Sequence, residues 1–434
     1  MIRDRRAIVA LLTALNFLNY IDRAVIAAVV DPMSKELSLS GFQAGLLNSA
    51  FLIGYFATSP LFGMRADKSA RKGLITLGVV VWSLATVASG LAPGFGTLLA
   101  ARIVCGVGEA SYVVLAPTII DDVMPADRKG TALSVFFLAM PLGYALGYIL
   151  GGYLATRWDW RTAFLMTGGP GIALALVCLL IAEPTRKLAD AKASLIDGLR
   201  EIVKVPLFRR AVLGYCAYNA AVGAFSFWAP SFLVNRFPAA LNLKTANFWF
   251  GVVLIAAGAV GTFVGGWWAD RKIRRLPQPA PAAAYDAPEH KTAVNVLLWV
   301  SAAGMVVAAP VAAVCFFVPT PTLFFALAFV VEIGLFLSTS PVNIALMRAV
   351  PVERRASAIA ANVFAIHLFG DLWSAALLGL LQDWLSPRLA LAMMALPLTF
   401  AWSAYLWWPR RREALGAPAA SGSGGLPAAR VHAP

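Results

Sequence analysis

Gly63-Met64-Arg65-Ala66-Asp67-Lys68-Ser69-Ala70-Arg71-Lys72 returns later in the chain as Gly266-Trp267-Trp268-Ala269-Asp270-Arg271-Lys272-Ile273-Arg274-Arg275. Glycine, Ala-Asp, the following base and the closing basic pair align without a gap, 203 residues apart. Each copy sits at the charged end of an apolar run of membrane-spanning length. A loop duplicated at the same place in two hydrophobic halves implies two helical bundles of common design. In such repeats a solute site lies near the bilayer midplane, between the halves.

The composition agrees. Of the 434 residues 60% are apolar and only 13% charged, with a mean hydropathy of +0.74, outside the range of soluble domains. Twelve hydrophobic spans are expected, at roughly 7–31, 41–64, 73–92, 96–120, 129–156, 162–182, 209–234, 246–269, 292–318, 322–347, 356–384 and 388–408, each near the ~20 residues that cross a bilayer. The fold class expected is therefore an all-α membrane protein of twelve transmembrane helices in two six-helix, pseudo-symmetric bundles. Its parts are an N-terminal bundle over 1–183, a cytoplasmic amphipathic connector over 184–206, a C-terminal bundle over 207–409 and a structureless tail over 410–434.

A net charge of +14 invites a nucleic-acid reading, which its distribution excludes. With the N-terminus inside, the cytoplasmic segments hold 28 of the 36 Lys and Arg, against six outside (Lys35, Arg157, Arg161, Arg236, Lys244, Arg388). That asymmetry orients a membrane protein and meets anionic lipid headgroups. A bacterial-type inner membrane is expected, with both termini cytoplasmic, membrane lipids as neighbours and no nucleic-acid partner. Met1 to Arg6 and the run after it could pass for a signal peptide, but the span is long, charged and without a small-x-small cleavage site, so it is expected to stay. The four cysteines fall in four different spans without a C-x-x-C pair, and read as packing residues rather than metal ligands.

Two charged pairs lie where charge is costly. An ionisable group at membrane depth costs ~2.5–3.5 kcal/mol on insertion scales, so it normally faces a cavity and a partner. At 100° per residue Asn16, Asn19, Tyr20, Asp22 and Arg23 share an arc of roughly 160° on the first span, a polar face expected to line a watery route. Arg102 and Glu109 stand seven residues apart on the fourth span, on one face and ~10 Å apart along the axis, with Cys105 and Tyr112 on the same stripe. Salt bridges that merely fasten helices are the plain alternative; small residues already pack there, so a working network leads. A carboxylate beside a guanidinium keeps its charge, and losing the partner favours its proton. Asp22 ranks first and Glu109 second as proton carrier, with Arg23 and Arg102 as headgroup anchors or carboxylate partners.

The second half offers weaker candidates. Glu332, Thr339 and Asn343 share a face of the tenth span; His367, Asp371 and Ser374 share one of the eleventh. Tyr215, Tyr218, Asn219 and Ser226 stripe the seventh. In the repeated loops Gly63, Asp67 and Arg71, and Asp270, Arg271 and Arg274, are expected to gate. A carboxylate at a helix end can hold its loop's arginines and face a neighbouring helix N-terminus. Gly143, Gly147 and Gly151, every fourth residue, suit close helix packing.

The repeated loop resembles the signature between the second and third helices of the major facilitator superfamily. Leu99-Ala-Ala-Arg102-Ile-Val-Cys-Gly106-Val-Gly108-Glu109 resembles that superfamily's fourth-helix motif, and Met140-Pro141-Leu142-Gly143 its fifth-helix motif, although the usual Gly-Pro pair is missing. Asn19-Tyr20-Ile21-Asp22-Arg23, with Gly108-Glu109-Ala110-Ser111-Tyr112 and Ala116-Pro117-Thr118-Ile119-Ile120, is similar to the spinster-like branch. The resemblance implies a secondary transporter of lysophospholipid or sphingoid-phosphate substrates working by alternating access, with a proton as the coupling ion. It implies no other cofactor, no metal and no catalytic residue, and a monomer is expected. Kept beside it are an organic-anion or multidrug exporter of the same fold and a non-transporting receptor or scramblase. An intramembrane enzyme finds no support in the residues.

Overall fold

Helix ends fall where capping residues stand. Asp4 accepts from the Arg6 N–H to open α1 (Arg5–Ala28), and the chain breaks at Val29 before a short α2 (Val30–Glu36). Ser40 and Gln43 exchange side-chain and backbone bonds at the start of α3 (Gly41–Ala66), a reciprocal cap that satisfies donors no helix can satisfy internally. Next come α4 (Arg71–Gly90), α5 (Phe95–Val123), α6 (Lys129–Arg157) and α7 (Trp160–Cys178), the last capped by Asp159. The second half runs through α8 (Pro206–Arg236), α9 (Leu243–Ile273), α10 (Pro288–Cys315) and α11 (Pro321–Arg348). It ends with α12 (Arg355–Ile366), a π-helical turn (His367–Asp371), α13 (Leu372–Leu385), α14 (Leu389–Met393) and α15 (Ala395–Trp407). Asn242 and Thr245 form a second capping box on α9.

This computed structural model describes residues 2–66, 70–125, 128–182, 201–276, 287–351, 354–386 and 389–409. Asp67, most of the expected connector (184–200), the proline-rich loop (277–286) and the tail (410–434) lie outside the described residues. Of the connector 201–206 are described, helical over 201–204.

Eleven helical spans are long and apolar enough to cross a bilayer, those of α12 and α13 forming one through the π turn. α8 has the length, 31 residues, but Arg209, Arg210, Tyr215, Tyr218 and Asn219 make it more polar than the others. With α8 the expected twelve are accounted for. Among the described residues there is no strand, only an isolated bridge between Ile2 and Ile181.

One packing scheme occurs twice. In the first half α3 and α4 both lie on α5, α4 on α7, and α1 on α6. In the second, α9 and α10 both lie on α11, α10 on α15, and α8 on the π turn and α13. The α1–α6 seam shows why glycine recurs every fourth residue. A Cβ on Gly143, Gly147 or Gly151 would come 2.7, 2.6 or 2.7 Å from the Cβ of Tyr20, Ala24 or Ala28, so the two backbones touch only because none is there.

The halves meet through α3 against α13 and α6 against α9. Hydrogen bonds join them at the end remote from the basic loops and also deeper in, where Tyr148 donates to the Ser226 carbonyl (2.7 Å). Asp383 accepts from the backbone N–H groups of Gly41 (2.7 Å) and Phe42 (2.9 Å). Ser49 donates to the Leu372 carbonyl. Asn235 reaches Asp31 (2.9 Å), and Asn247 the Ala28 carbonyl (3.0 Å). The two bundles are clasped at that end.

Candidate functional site

The first-span polar arc divides between two environments, because consecutive residues on a helix point about 100° apart. Arg23 turns toward α3 and α5. Its Nε donates to Glu109 Oε2 at 2.7 Å, with the arginine side chain 15% exposed and the glutamate 0%. The guanidinium carbon lies 5.2 Å from the Tyr20 ring centroid, 5.0 Å from Phe51 and 5.4 Å from Tyr55. Tyr20 in turn packs on Tyr144, their rings 5.3 Å apart. An ion pair held among aromatic faces is shielded from water, and the ring quadrupoles favour its cation.

Asp22 turns the other way, into the first bundle. It is fully buried, and its Oδ2 accepts from the Trp82 indole N–H at 2.9 Å. Its other oxygen, both amide atoms of Asn19 and the Ser83 hydroxyl are buried without a hydrogen-bond partner among the described residues. Asn16 donates to the Phe136 carbonyl at 2.8 Å. The polar arc is thus divided: Arg23 and Tyr20 lie toward the aromatic pocket, while Asn16, Asn19 and Asp22 are enclosed between helices.

Arg102 is also buried and makes no ion pair among the described residues. Its Nη1 lies 3.7 Å from Cys105 Sγ, and that sulfur lies 3.9 Å from Glu109 Oε1. Arg102 also faces the Phe51 ring at 5.3 Å. Cys105 therefore sits between the second arginine and the glutamate that Arg23 holds. Tyr112 points away from this pocket, donates to the Leu12 carbonyl and packs edge-on against Trp82; its role is to fix α1 against α5.

In the second half, Asn343 donates to the Tyr215 hydroxyl at 3.2 Å, and Tyr218 to the Leu335 carbonyl at 3.2 Å. Asn219 only bonds back to the Tyr215 carbonyl of its own helix. Glu332 is buried close to Tyr148 and Tyr218. His367 Nδ1 sits 2.9 Å from both Asp371 oxygens, and the imidazole packs 5.1 Å from Phe56 of the opposite half. That pair spans the π turn. A π turn is an insertion often found at working sites; here Gly370 rests against the α8 backbone, where a Cβ would meet the Cys216 carbonyl at 2.9 Å.

Of the loop residues, Gly63 lies in α3, and Arg71 is buried with its Nη1 on Asp122 (2.7 Å) and Thr118 (3.0 Å). It ties the start of α4 to the end of α5. In the second copy Asp270 is exposed and makes no ion pair among the described residues. Arg271 lies over the Trp267 ring at 5.3 Å, and Arg274 is exposed at the end of α9.

Sequence reasoning missed Trp82, Tyr55, Tyr144, the π turn and Asp383. Trp82 alone carried a signal: an indole N–H inside an apolar span needs an acceptor, and the nearest buried acid was the one to test.

Two halves of like packing, a clasp at one end and a charged pocket at mid-depth define a membrane transport protein of the two-bundle kind. The Major Facilitator Superfamily model matches residues 12–284. Human Protein spinster homolog 1 is 30% identical over 398 residues, covering 87% of this chain and 72% of the human protein. The probable sphingolipid transporter spinster homolog 2 of Arabidopsis thaliana is 30% identical over 431 residues, covering 89% and 84%. Protein spinster of Drosophila melanogaster is also 30% identical, and the chain spans 61% of its length. A bacterial homolog of the human lysosomal transporter spinster, solved in an inward-facing and unoccupied conformation, superposes with a TM-score of 0.77 at 22% identity, covering 93% of this chain and 94% of that one. The chain belongs to the major facilitator superfamily, in its spinster-like branch; it is a multi-pass membrane transporter and not an enzyme.

Proposed function

We propose that this protein is a proton-coupled secondary active transporter of an amphiphilic, lipid-like substrate of the lysophospholipid or sphingoid-phosphate type. The observation that carries the reading is the Arg23–Glu109 ion pair, enclosed by aromatic rings and one residue along from the buried Asp22. An anionic headgroup entering beside Tyr20 and Tyr55 competes with Glu109 for the Arg23 guanidinium. A buried carboxylate stripped of its cation is costly, so a released Glu109 favours its proton, while Asp22, held by an indole rather than a cation, is the first proton carrier and Glu109 the second. One pH unit supplies ~1.4 kcal/mol per proton, and 100 mV supplies ~2.3 kcal/mol per charge moved. Substrate and proton then move in opposite directions.

The relatives' names support the substrate class, one being a probable sphingolipid transporter. Tyr215, Asn343, Glu332 and the His367–Asp371 pair are assigned to the opposite, polar wall of the route. We place the chain in a bacterial-type inner membrane as a monomer with the basic end cytoplasmic. The clasp through Asp383 and Asn247 then closes the external side, which makes this the inward-facing arrangement. Asp67 with Arg71, and Asp270 with Arg271 and Arg274, are assigned to the cytoplasmic gate, formed when that side closes.

Reconstitution tests the reading. Proteoliposomes should accumulate a labelled lysophospholipid in response to a pH gradient, and Asp22→Asn should transport without that response. Lysolipid equilibration indifferent to pH in the wild type, or movement of small soluble anions alone, refutes it.

A further inference from the structure

The break at Val29 leaves a seven-residue helix, α2, at the clasped end, and no step of the proposed transport uses it. A helix so short does not hold itself in water, so its place is set by what it docks on. Val30 and Met33 are buried and join an apolar cluster drawn from both halves, Trp160 and Phe164 from one and Phe232 and Phe237 from the other. Its two acids are held by different halves. Glu36, the last residue, accepts from the Trp160 indole (2.7 Å) and from Arg161 (2.8 Å) on α7. Arg161 is itself fixed on the carbonyls of Gly90 (3.1 Å) and Ala92 (2.7 Å) at the end of α4, so this mount joins α2 to two helices of the first bundle.

Asp31, in the first turn, faces the second bundle. Its side chain is only 12% exposed and takes Lys35 of its own helix at 2.8 Å. Its other oxygen accepts from Asn235 at 2.9 Å, in the last turn of α8. That amide is aimed by a further bond to the Ser231 carbonyl (2.8 Å). The exit from α2 is fixed as well: the Leu39 N–H closes on the Ser34 carbonyl (2.9 Å) around Ser38, whose φ is +51°. A non-glycine residue in the left-handed region persists only where its surroundings hold it, and this turn delivers the Gly41 and Phe42 N–H groups to Asp383. The attachment of α2 to the first half is thus multiple, whereas a single side-chain hydrogen bond ties it to the second. We infer that α2 is the bolt of the outer gate, an assignment that rests on the alternating-access reading: it is carried by the first bundle on its α7 mount, engages the second through Asp31 and Asn235, and is withdrawn with the first when that end opens.

The test is double electron–electron resonance on the full-length chain in lipid nanodiscs, labelled in pairs at Lys35→Cys on α2, Gly96→Cys on the first half and Ala239→Cys on the second, all exposed. Asn235→Ala removes the bolt's hydrogen bond and spares its mount. It should raise the open population, read from the longer Gly96–Ala239 distance, about fivefold, the effect of one hydrogen bond that water partly replaces. In the open molecules the Lys35–Ala239 distance should lengthen while the Lys35–Gly96 distance keeps its clasped value. Lengthening of Lys35–Gly96 instead, or an open population no larger than in the wild type, overturns the inference and leaves alternating access standing. If no pair lengthens in Asn235→Ala or in Asp383→Ala, the alternating-access reading falls and the bolt with it. Should Asn235→Ala fail to fold, Asn235→Asp, which sets a second carboxylate against Asp31, should open the same end and decides in its place.

Discussion

Replacing Asp383 by alanine should release the clasp between the bundles. Asp383 spends both carboxylate oxygens on the first N–H groups of α3, a helix of the other half. Those donors have no partner within their own helix, and the positive end of the helix adds to the attraction by ~0.3–1 kcal/mol. Hydrogen bonds to a charged group contribute ~1.5–3 kcal/mol where they are shielded. Here the carboxylate is exposed, so water competes and the lower part of that range applies. A net loss of ~1–2 kcal/mol changes the ratio of clasped to open molecules about 5- to 30-fold. Spin labels at Gly96→Cys and Ala239→Cys, both exposed and on opposite halves, report it by double electron–electron resonance. A Cβ at Gly96 meets nothing within 4 Å, and the four native cysteines are buried, so neither label site nor background perturbs the measurement. The longer-distance population should grow by that factor in Asp383→Ala. Gly41→Ala should act in the same direction, because its Cβ would sit 2.8 Å from an Asp383 oxygen. An unchanged distance distribution in Asp383→Ala refutes the reasoning.

Arg23→Gln should destabilise the protein by ~3–5 kcal/mol by leaving the fully buried Glu109 unpaired, and adding Glu109→Gln should recover part of the loss; thermal melting of both singles and the double measures the coupling, and additive losses would contradict it. Gly147→Leu should cost ~1–3 kcal/mol or more by forcing α6 off α1, whereas Gly73→Ala, whose Cβ meets nothing within 4 Å, should melt as the wild type does. At the clasped end, the Trp160 indole bond (2.7 Å) and then the Arg161 pair (2.8 Å) hold the Glu36 carboxyl below its usual range. A lowered folded value stabilises above the unfolded value of ~4.3 and is lost as pH falls through the folded one. Glu36→Gln should therefore lower the melting temperature at neutral pH, by about 1–2 °C for so exposed a pair, and the gap to wild type should close in acid.

Long-range periodicity was legible because it is written in many residues at once. The duplicated loop, the apolar runs and the Gly143–Gly147–Gly151 stripe each named a feature that the packing repeats. Which way a single side chain points was not legible. A helical wheel put Asn19, Asp22 and Arg23 in one arc, yet that arc is wider than the surface any one neighbour can cover, and α4 and α7 took one flank of α1 while α3 and α5 faced the other. The Arg23–Glu109 pairing depends on how α1 crosses α5, and nothing in either span alone encodes that crossing. The π turn was hidden for a different reason: His367 and Asp371, four apart, look the same in an α-helix, and only the contact of Gly370 with α8 distinguishes the two. Asp383 was passed over because an acid at a span end reads as solvated until the helix it caps is brought to it.

The division of the polar arc has a mechanical consequence. Asp22 and Arg23 are neighbours on a rigid helix, so neither can move without the other, yet one is bonded to Trp82 inside the bundle and the other to Glu109 among aromatic rings. On the proposed reading, a rotation of α1 that draws Arg23 toward a headgroup would also turn Asp22 relative to its indole partner. The glycine seam with α6 resists displacement of α1 across that helix but, being smooth, offers few side-chain obstacles to a small rotation about its axis. Charge exchange in the aromatic pocket and the environment of the enclosed acid would thereby be linked through one helix turn, without a chain of intermediates.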